Sequence, residues 1–204
     1  MGAIIRRRSE HETRAWAGGE TTELAIFPAG SSYAQRSFSW RVSSATVTIP
    51  SSEFTRLEGY YRHLMVLDGE LRLLPAGGAE AELAPGDQYS FDGATPIACF
   101  GLATDVNLML AQGFSGRLSR GVIGPGSCSP WQPESPSASH GLAYCYRGQA
   151  LVSSAQLPSH TISAGDLVWL TNDAAGRPEI PSLNIENIGD EPLIIVLATV
   201  FNTP

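Results

Sequence analysis

An arginine sits inside an otherwise apolar, aromatic run: Phe38-Ser39-Trp40-Arg41-Val42-Ser43-Ser44-Ala45-Thr46-Val47. Successive strand residues point to opposite faces, which puts Phe38, Trp40 and Val42 on one side and Arg41 and Ser43 on the other. If the second side lines a barrel, Arg41 presents a planar fork of donors that matches a carboxylate. If it faces solvent, Arg41 is an ordinary surface cation. A second arginine, Arg62, is followed directly by His63 ahead of the apolar residues 64–67. Only one of these two neighbours can face inward without a bulge. The pattern suits recognition of a small anion better than nucleophilic attack. There is no Gly-x-Ser-x-Gly elbow, and no cysteine has a base beside it in sequence. Gly77-Gly78 reads as a loop tip, since no helix follows it to cradle a phosphate.

Composition narrows the partners. The chain has 204 residues, 43% of them hydrophobic, so it can bury a core. All 13 basic residues are arginine and the net charge is −7, which argues against nucleic acid as a partner. Arg6-Arg7-Arg8 is the only basic run and reads as a solvated tail. Three cysteines without C-x-x-C spacing suggest reduced thiols, with Cys99 and Cys145 as small core residues. The N-terminus lacks the apolar stretch of a signal peptide. The longest apolar run, 193–201, is too short to span a bilayer as a helix and suits a final buried strand. These points predict a cytoplasmic protein with no membrane partner.

The elements that would position the arginines are strands. Helical periodicity is weak, while alternation recurs at 38–47 and at Glu70-Leu71-Arg72-Leu73-Leu74. Asp68-Gly69 predicts a type I′ hairpin, Pro85-Gly86 a type II turn and 187–190 a further turn before the last strand. Short strands broken by Gly and Pro point to a sandwich or barrel. The turns also repeat. Gly69 and Gly86 are 17 residues apart, as are Gly148 and Gly165, and the two pairs are offset by 79. One β-unit used twice predicts a double barrel, and barrels bind ligands in their mouths. Residues 124–137, rich in Pro and Ser, read as a linker between the halves, against a second reading as a loop lidded by Trp131.

Several short segments together resemble the HutD/Ves family. They are W-x-G-G-x-T-x-E at 16–23, F-x-W-R-x-S at 38–43, the arginine closing Glu58-Gly59-Tyr60-Tyr61-Arg62, then Gly86-Asp87, and Asp105-Val106-Asn107-Leu108-Met109. They run in the family's order over 16–113. The chain departs from the family at Tyr61, usually acidic, and at Leu110-Ala111-Gln112-Gly113, where arginines are common. The resemblance implies an all-β bicupin, two cupin-like barrel or sandwich halves packed as one unit, here expected at 1–120 and 121–204. It implies a bacterial protein linked to histidine utilisation, or to the Ves branch, that binds a small polar, carboxylate-bearing metabolite such as a urocanate- or formylglutamate-like compound. Carried over by position, the ligand-binding candidates are Glu23, Arg41, Arg62 and Asn107, with His63 as an addition.

Metal-binding members of the cupin fold resemble a pattern of H-x-H, a following glutamate and a later histidine. His11, His63, His140 and His160 do not make it, so neither metal nor cofactor is expected. Three readings stay open. The first is a non-enzymatic binder regulating histidine catabolism, with Glu23 pairing Arg41 when the site is empty. The second is a metal-independent hydrolase or isomerase using Glu23 or His63 as acid or base. The third is an interaction module that pairs as a homodimer.

Overall fold

A computed structural model describes residues 3–133, 138–155, 157–171 and 180–203, and their regular structure is strand apart from one 3₁₀ turn. The chain begins with β1 (Ala3–Arg6) and a 3₁₀ turn at Arg8–Glu10. Next come β2 (Glu12–Trp16), β3 (Gly19–Phe27), β4 (Trp40–Val47), β5 (Ser51–Glu53), β6 (Tyr60–Gly69), β7 (Leu71–Pro75), β8 (Ala81–Leu83), β9 (Gln88–Asp92), β10 (Ile97–Phe100) and β11 (Ala103–Ala111). The rest is β12 (Phe114–Ile123), β13 (Cys128–Trp131), β14 (Ala138–Arg147), β15 (Gln149–Ser154), β16 (Leu157–Ser163), β17 (Leu167–Thr171), β18 (Leu183–Asn187) and β19 (Leu193–Asn202). Among the described residues no helix is long and apolar enough to cross a membrane.

Two compact units result: Glu12–Phe114, and Met1–His11 together with Ser115–Pro204. The expected division at 120/121 falls inside β12. The first unit has a six-stranded sheet, β2-β3-β4-β11-β6-β9, facing a four-stranded one, β5-β10-β7-β8. The second repeats the plan with β1-β17-β14-β19-β12 and β13-β18-β15-β16. In the first unit Leu64, Val66 and Phe91 of the larger sheet meet Leu71, Leu73, Leu83, Ile97 and Cys99 of the smaller. In the second, Ala143, Cys145, Val168 and Ile195 meet Ala150, Val152, Ile162, Leu183 and Ile185. This is the bicupin plan.

The sequence repeat is a repeat of hydrogen bonds. Gly86 N–H donates to the Val66 carbonyl (2.8 Å) and Val66 N–H to that of Asp87 (3.1 Å). At the offset of 79, Gly165 N–H donates to Cys145 (2.8 Å) and Cys145 N–H to Asp166 (3.0 Å). Each turn closes through its aspartate, whose Oδ2 accepts from Ala84 N–H (2.9 Å) or Ser163 N–H (3.1 Å). Gly86 has φ +102°, as the third position of a type II turn requires.

Four expectations are corrected. Asp68-Gly69 is not a hairpin tip, because β6 and β7 lie in different sheets. It is the corner where the chain changes sheet, and among the described residues only Gly69 of this pair has positive φ (+74°). A Cβ there would also run into the Leu102 carbonyl oxygen, so the glycine serves a close backbone approach. Phe38 precedes β4, leaves the alternation and packs with Leu57, Tyr60 and Met109. Residues 124–133 are not a linker, since Cys128–Trp131 pairs with β18 inside the second unit and Trp131 packs on its core; 134–137 lie outside the described residues. Nor is the arginine run a loose tail. β1 pairs with β17, Arg7 Nη1 donates to Asp166 Oδ2 (2.8 Å) and Arg8 N–H to Asp166 Oδ1 (2.9 Å).

Asp166 is therefore a clasp between the N-terminal strand and the second unit. Burial opposes its ionisation, but the Arg8 and Ser163 amides and the Arg7 guanidinium outweigh burial and hold its carboxyl below the usual range. A lowered folded value gives stability that is complete above the unfolded value, about 4, and is lost as pH falls through the folded one. Asp166→Ala should lower stability by about 1–3 kcal/mol at neutral pH, with the gap to wild type closing under acid; equal melting at pH 7 would refute the clasp. Burial pushes the Cys99 thiol up to about 11 and the Cys145 thiol up to about 12, whereas Cys128 is exposed. A thiol reagent at mild pH should label one site quickly, and Cys128→Ser should abolish that phase; fast labelling that survives the substitution would contradict this packing.

Candidate functional site

Register across the larger sheet of the first unit builds the site. Ile26, Arg41, Met109, Arg62 and Phe91 form one row across β3, β4, β11, β6 and β9. Glu23, Ser43, Asn107, Leu64 and Tyr89 form the next, and Thr21, Ala45, Asp105 and Val66 a third. Alternation points all three rows to the same face. A bulge in β3 between Glu23 and Ala25 shifts its phase, so that Glu23 stands opposite Ser43 while Ile26 stands opposite Arg41. The opposite face of β4 carries Trp40 and Val42, both buried.

The inner face lines a cavity of about 410 Å³. Its lining includes Glu23, Arg41, Ser43, Arg62, Asp105, Asn107 and Met109, with Glu12, Arg14 and Trp16 of the exposed strand β2 at its rim. Arg41 is 5% exposed and Arg62 6%, and a buried guanidinium must find partners. Arg41 Nε donates to Glu23 Oε2 (2.8 Å) and Nη1 to Ser43 Oγ (2.9 Å), and its carbon lies 4.5 Å from the Tyr33 ring centre. Arg62 is held differently. Nε donates to Asn107 Oδ1 (3.3 Å) and Nη1 to the Thr55 carbonyl (3.2 Å), with the Phe54 and Phe91 ring centres at 5.4 and 4.9 Å. Among the described residues no carboxylate lies within ion-pair distance of Arg62. Burial pushes its guanidinium down from the usual value, while Tyr33 and Asp105 act the other way; an arginine stays charged regardless. Burial pushes the Asp105 carboxyl up to about 7, opposed by the charge of Arg62.

Four of the five residues singled out in the sequence, Glu23, Arg41, Arg62 and Asn107, meet in this cavity. His63 does not. It lies on the opposite face of β6, with Nδ1 2.7 Å from Ser90 Oγ and its ring edge-on to Tyr61. This is the outcome the Arg62-His63 adjacency required. Sequence reasoning passed over Ser43 as a partner for Arg41, and over Asp105 and Met109, although alternation from Asn107 along β11 implies both. The rings around the arginines come from β9, from Phe54 just after β5 and from the 28–39 connection, and no local signal marks them.

The metal-binding relatives of the fold raise the question of an ion. No histidine lines the cavity, and among the described residues no group of three or more His, Cys, Asp or Glu is placed to hold one. The donor set does not fit a metal. Among the described residues, the second unit does not repeat the site either. In the place of Arg62 it has Gly141, and in those of Asp105 and Asn107 it has Ile195 and Leu197. Trp131 fills the space over Gly141, where a Cβ would stand 3.0 Å from the indole.

The comparisons agree with this architecture. A conserved protein of unknown function from Pseudomonas aeruginosa PAO1 superimposes with a TM-score of 0.82 at 23% identity, covering 99% of this chain and 100% of the other. HutD from Pseudomonas fluorescens SBW25, solved in a formate condition, gives 0.73 at 20%, covering 99% and 100%. A formate complex of Lactobacillus farciminis oxalate decarboxylase gives 0.66 at 14%, covering 98% and 86%. No curated protein sequence gives a significant match. The HutD family profile matches residues 8–184, and the chain belongs to the HutD family.

Proposed function

We propose that this protein binds a small carboxylate-bearing metabolite in the cavity of its first unit, without turning it over. On this reading it acts in the cytoplasm as a regulator linked to histidine catabolism. The observation that carries the reading is Arg62, a buried guanidinium held by neutral oxygens and aromatic rings, with no carboxylate within ion-pair distance among the described residues. Two of its edges are committed to Asn107 and Thr55, and a ligand carboxylate supplies the missing charge. Arg41 already has Glu23, and a second acidic group on the ligand would compete with that pair. A urocanate- or formylglutamate-like ligand fits in charge, and the link to histidine utilisation comes from the family.

A second reading, a metal-independent hydrolase or isomerase, keeps one specific support. Glu23 and Asp105 are both acidic groups within the cavity, and one of them titrates near neutrality, where a general acid or base works best. His63 no longer contributes to it. A homodimer formed through exposed strands remains compatible with either reading.

Calorimetric titration with urocanate and with N-formylglutamate, followed by assay of each mixture for product, separates these readings. Saturable binding without product is expected. Product abolished by Glu23→Gln would establish the enzyme, and absence of binding by both would overturn the carboxylate site. Arg62→Ala and Arg41→Ala should each weaken binding by well over tenfold, on the order of 100-fold for Arg62, the scale of a lost charge-assisted hydrogen bond. His63→Ala should leave affinity unchanged. Equal affinity in Arg62→Ala would remove it from the site.

A further inference from the structure

We propose that Asp105 is a built-in rival of the ligand for Arg62, so that the cavity takes up a carboxylate together with a proton. The proposal deepens the binding reading above and rests on it. Asp105 lines the same cavity and is 3% exposed. Its backbone is fixed, since its carbonyl accepts from Ser44 Oγ (3.0 Å). Its carboxylate, by contrast, makes no hydrogen bond or ion pair among the described residues. It stands one inward position along β11 from Asn107, the residue that holds Arg62 Nε. A buried, unpartnered carboxylate facing a buried, unpaired guanidinium is a costly arrangement. Asp105 feels the charge of Arg62, and Arg62 feels that of Asp105 after that of Tyr33, so each shifts the other's titration.

The remaining charged groups do not replace this pairing. Arg41 and Glu23, from β4 and β3, are committed to each other. Glu12 and Arg14 pair at the exposed rim. From the smaller sheet, Glu53 of β5 also lines the cavity, and Cys99 of β10 feels the Asp105 charge but stays a neutral thiol. When Asp105 is ionised it partly satisfies Arg62 and repels an incoming carboxylate. When it is protonated it leaves Arg62 without a counter-charge and becomes a hydrogen-bond donor to the ligand. The only bond formed in the switch is the O–H of the carboxylic acid, with the proton drawn from solvent. Burial pushes this carboxyl up to about 7, with Arg62 opposing, which sets the exchange near neutrality. A bound anion favours the protonated form further, so affinity falls as pH rises above that value.

N-formylglutamate suits the test, because its carboxylates stay ionised across the range. Its dissociation constant should rise about tenfold per pH unit between about pH 7.5 and 9. Titrations in buffers of different ionisation enthalpy should show uptake of about one proton per ligand bound. Asp105→Asn, which mimics the neutral acid, should bind with an affinity independent of pH. Should that variant fail to fold, proton uptake by the wild type decides alone. Binding without proton uptake, or an undiminished slope in Asp105→Asn, overturns this proposal and leaves the carboxylate site standing. Failure to bind at every pH overturns the carboxylate site itself and this proposal with it.

Discussion

The first unit is organised around the cost of keeping two guanidiniums out of water. Moving such a group into a protein interior costs several kcal/mol unless its donors are met. Arg41 is met by a carboxylate and a hydroxyl, and Arg62 by an amide oxygen, a backbone carbonyl and two rings. Those partners come from β3, β4, β9 and β11 and from the segment around Phe54 and Thr55. They converge only while the register of the larger sheet is held. A slip of one residue in β4 would turn Arg41 outward and drive Trp40 into the cavity, because side-chain direction reverses at every step. The bulge in β3 belongs to the same constraint, since without it Glu23 would fall out of phase with Ser43.

The two halves share a backbone plan and diverge in what they enclose. The first keeps arginines, an amide and a carboxyl on the inner face of its larger sheet. The second puts glycine, isoleucine and leucine at the places of Arg62, Asp105 and Asn107, with Trp131 packed over the glycine. An interior of that kind contributes hydrophobic burial without the desolvation cost of charge. The polar lining of the first unit has no counterpart at these positions of the second, although the turns that shape the two are bonded alike.

Much of this was legible in the chain before any coordinates. The 79-residue offset marked the duplicated plan because Gly86 and Gly165, with the aspartates after them, serve the same turn geometry. Alternation around Arg41 left two outcomes open, and the adjacency of Arg62 and His63 allowed only one of them to face inward. What stayed hidden was non-local. Whether Asp68-Gly69 was a hairpin or a corner depended on which sheet β7 joined, and a dipeptide carries no such information. Residues 124–137 looked like a linker by composition, yet β13 is short and held by its pairing with β18. Asp105 was quoted within a motif but not weighed, since its isolation from partners emerges only when the facing strands are in place.

The course of the chain has a consequence for assembly. Residues 12–114 form an uninterrupted stretch, so the cavity-bearing unit can close as soon as they leave the ribosome. The first eleven residues belong elsewhere, because β1 has its partner in β17, more than 150 positions later. During synthesis that strand must wait, unpaired, while a complete barrel folds beside it in the chain. The final closure of the second unit therefore joins its earliest-made strand to one of its last. The loop closed by that contact holds a body already folded, which keeps its entropic cost below that of a flexible chain of equal length.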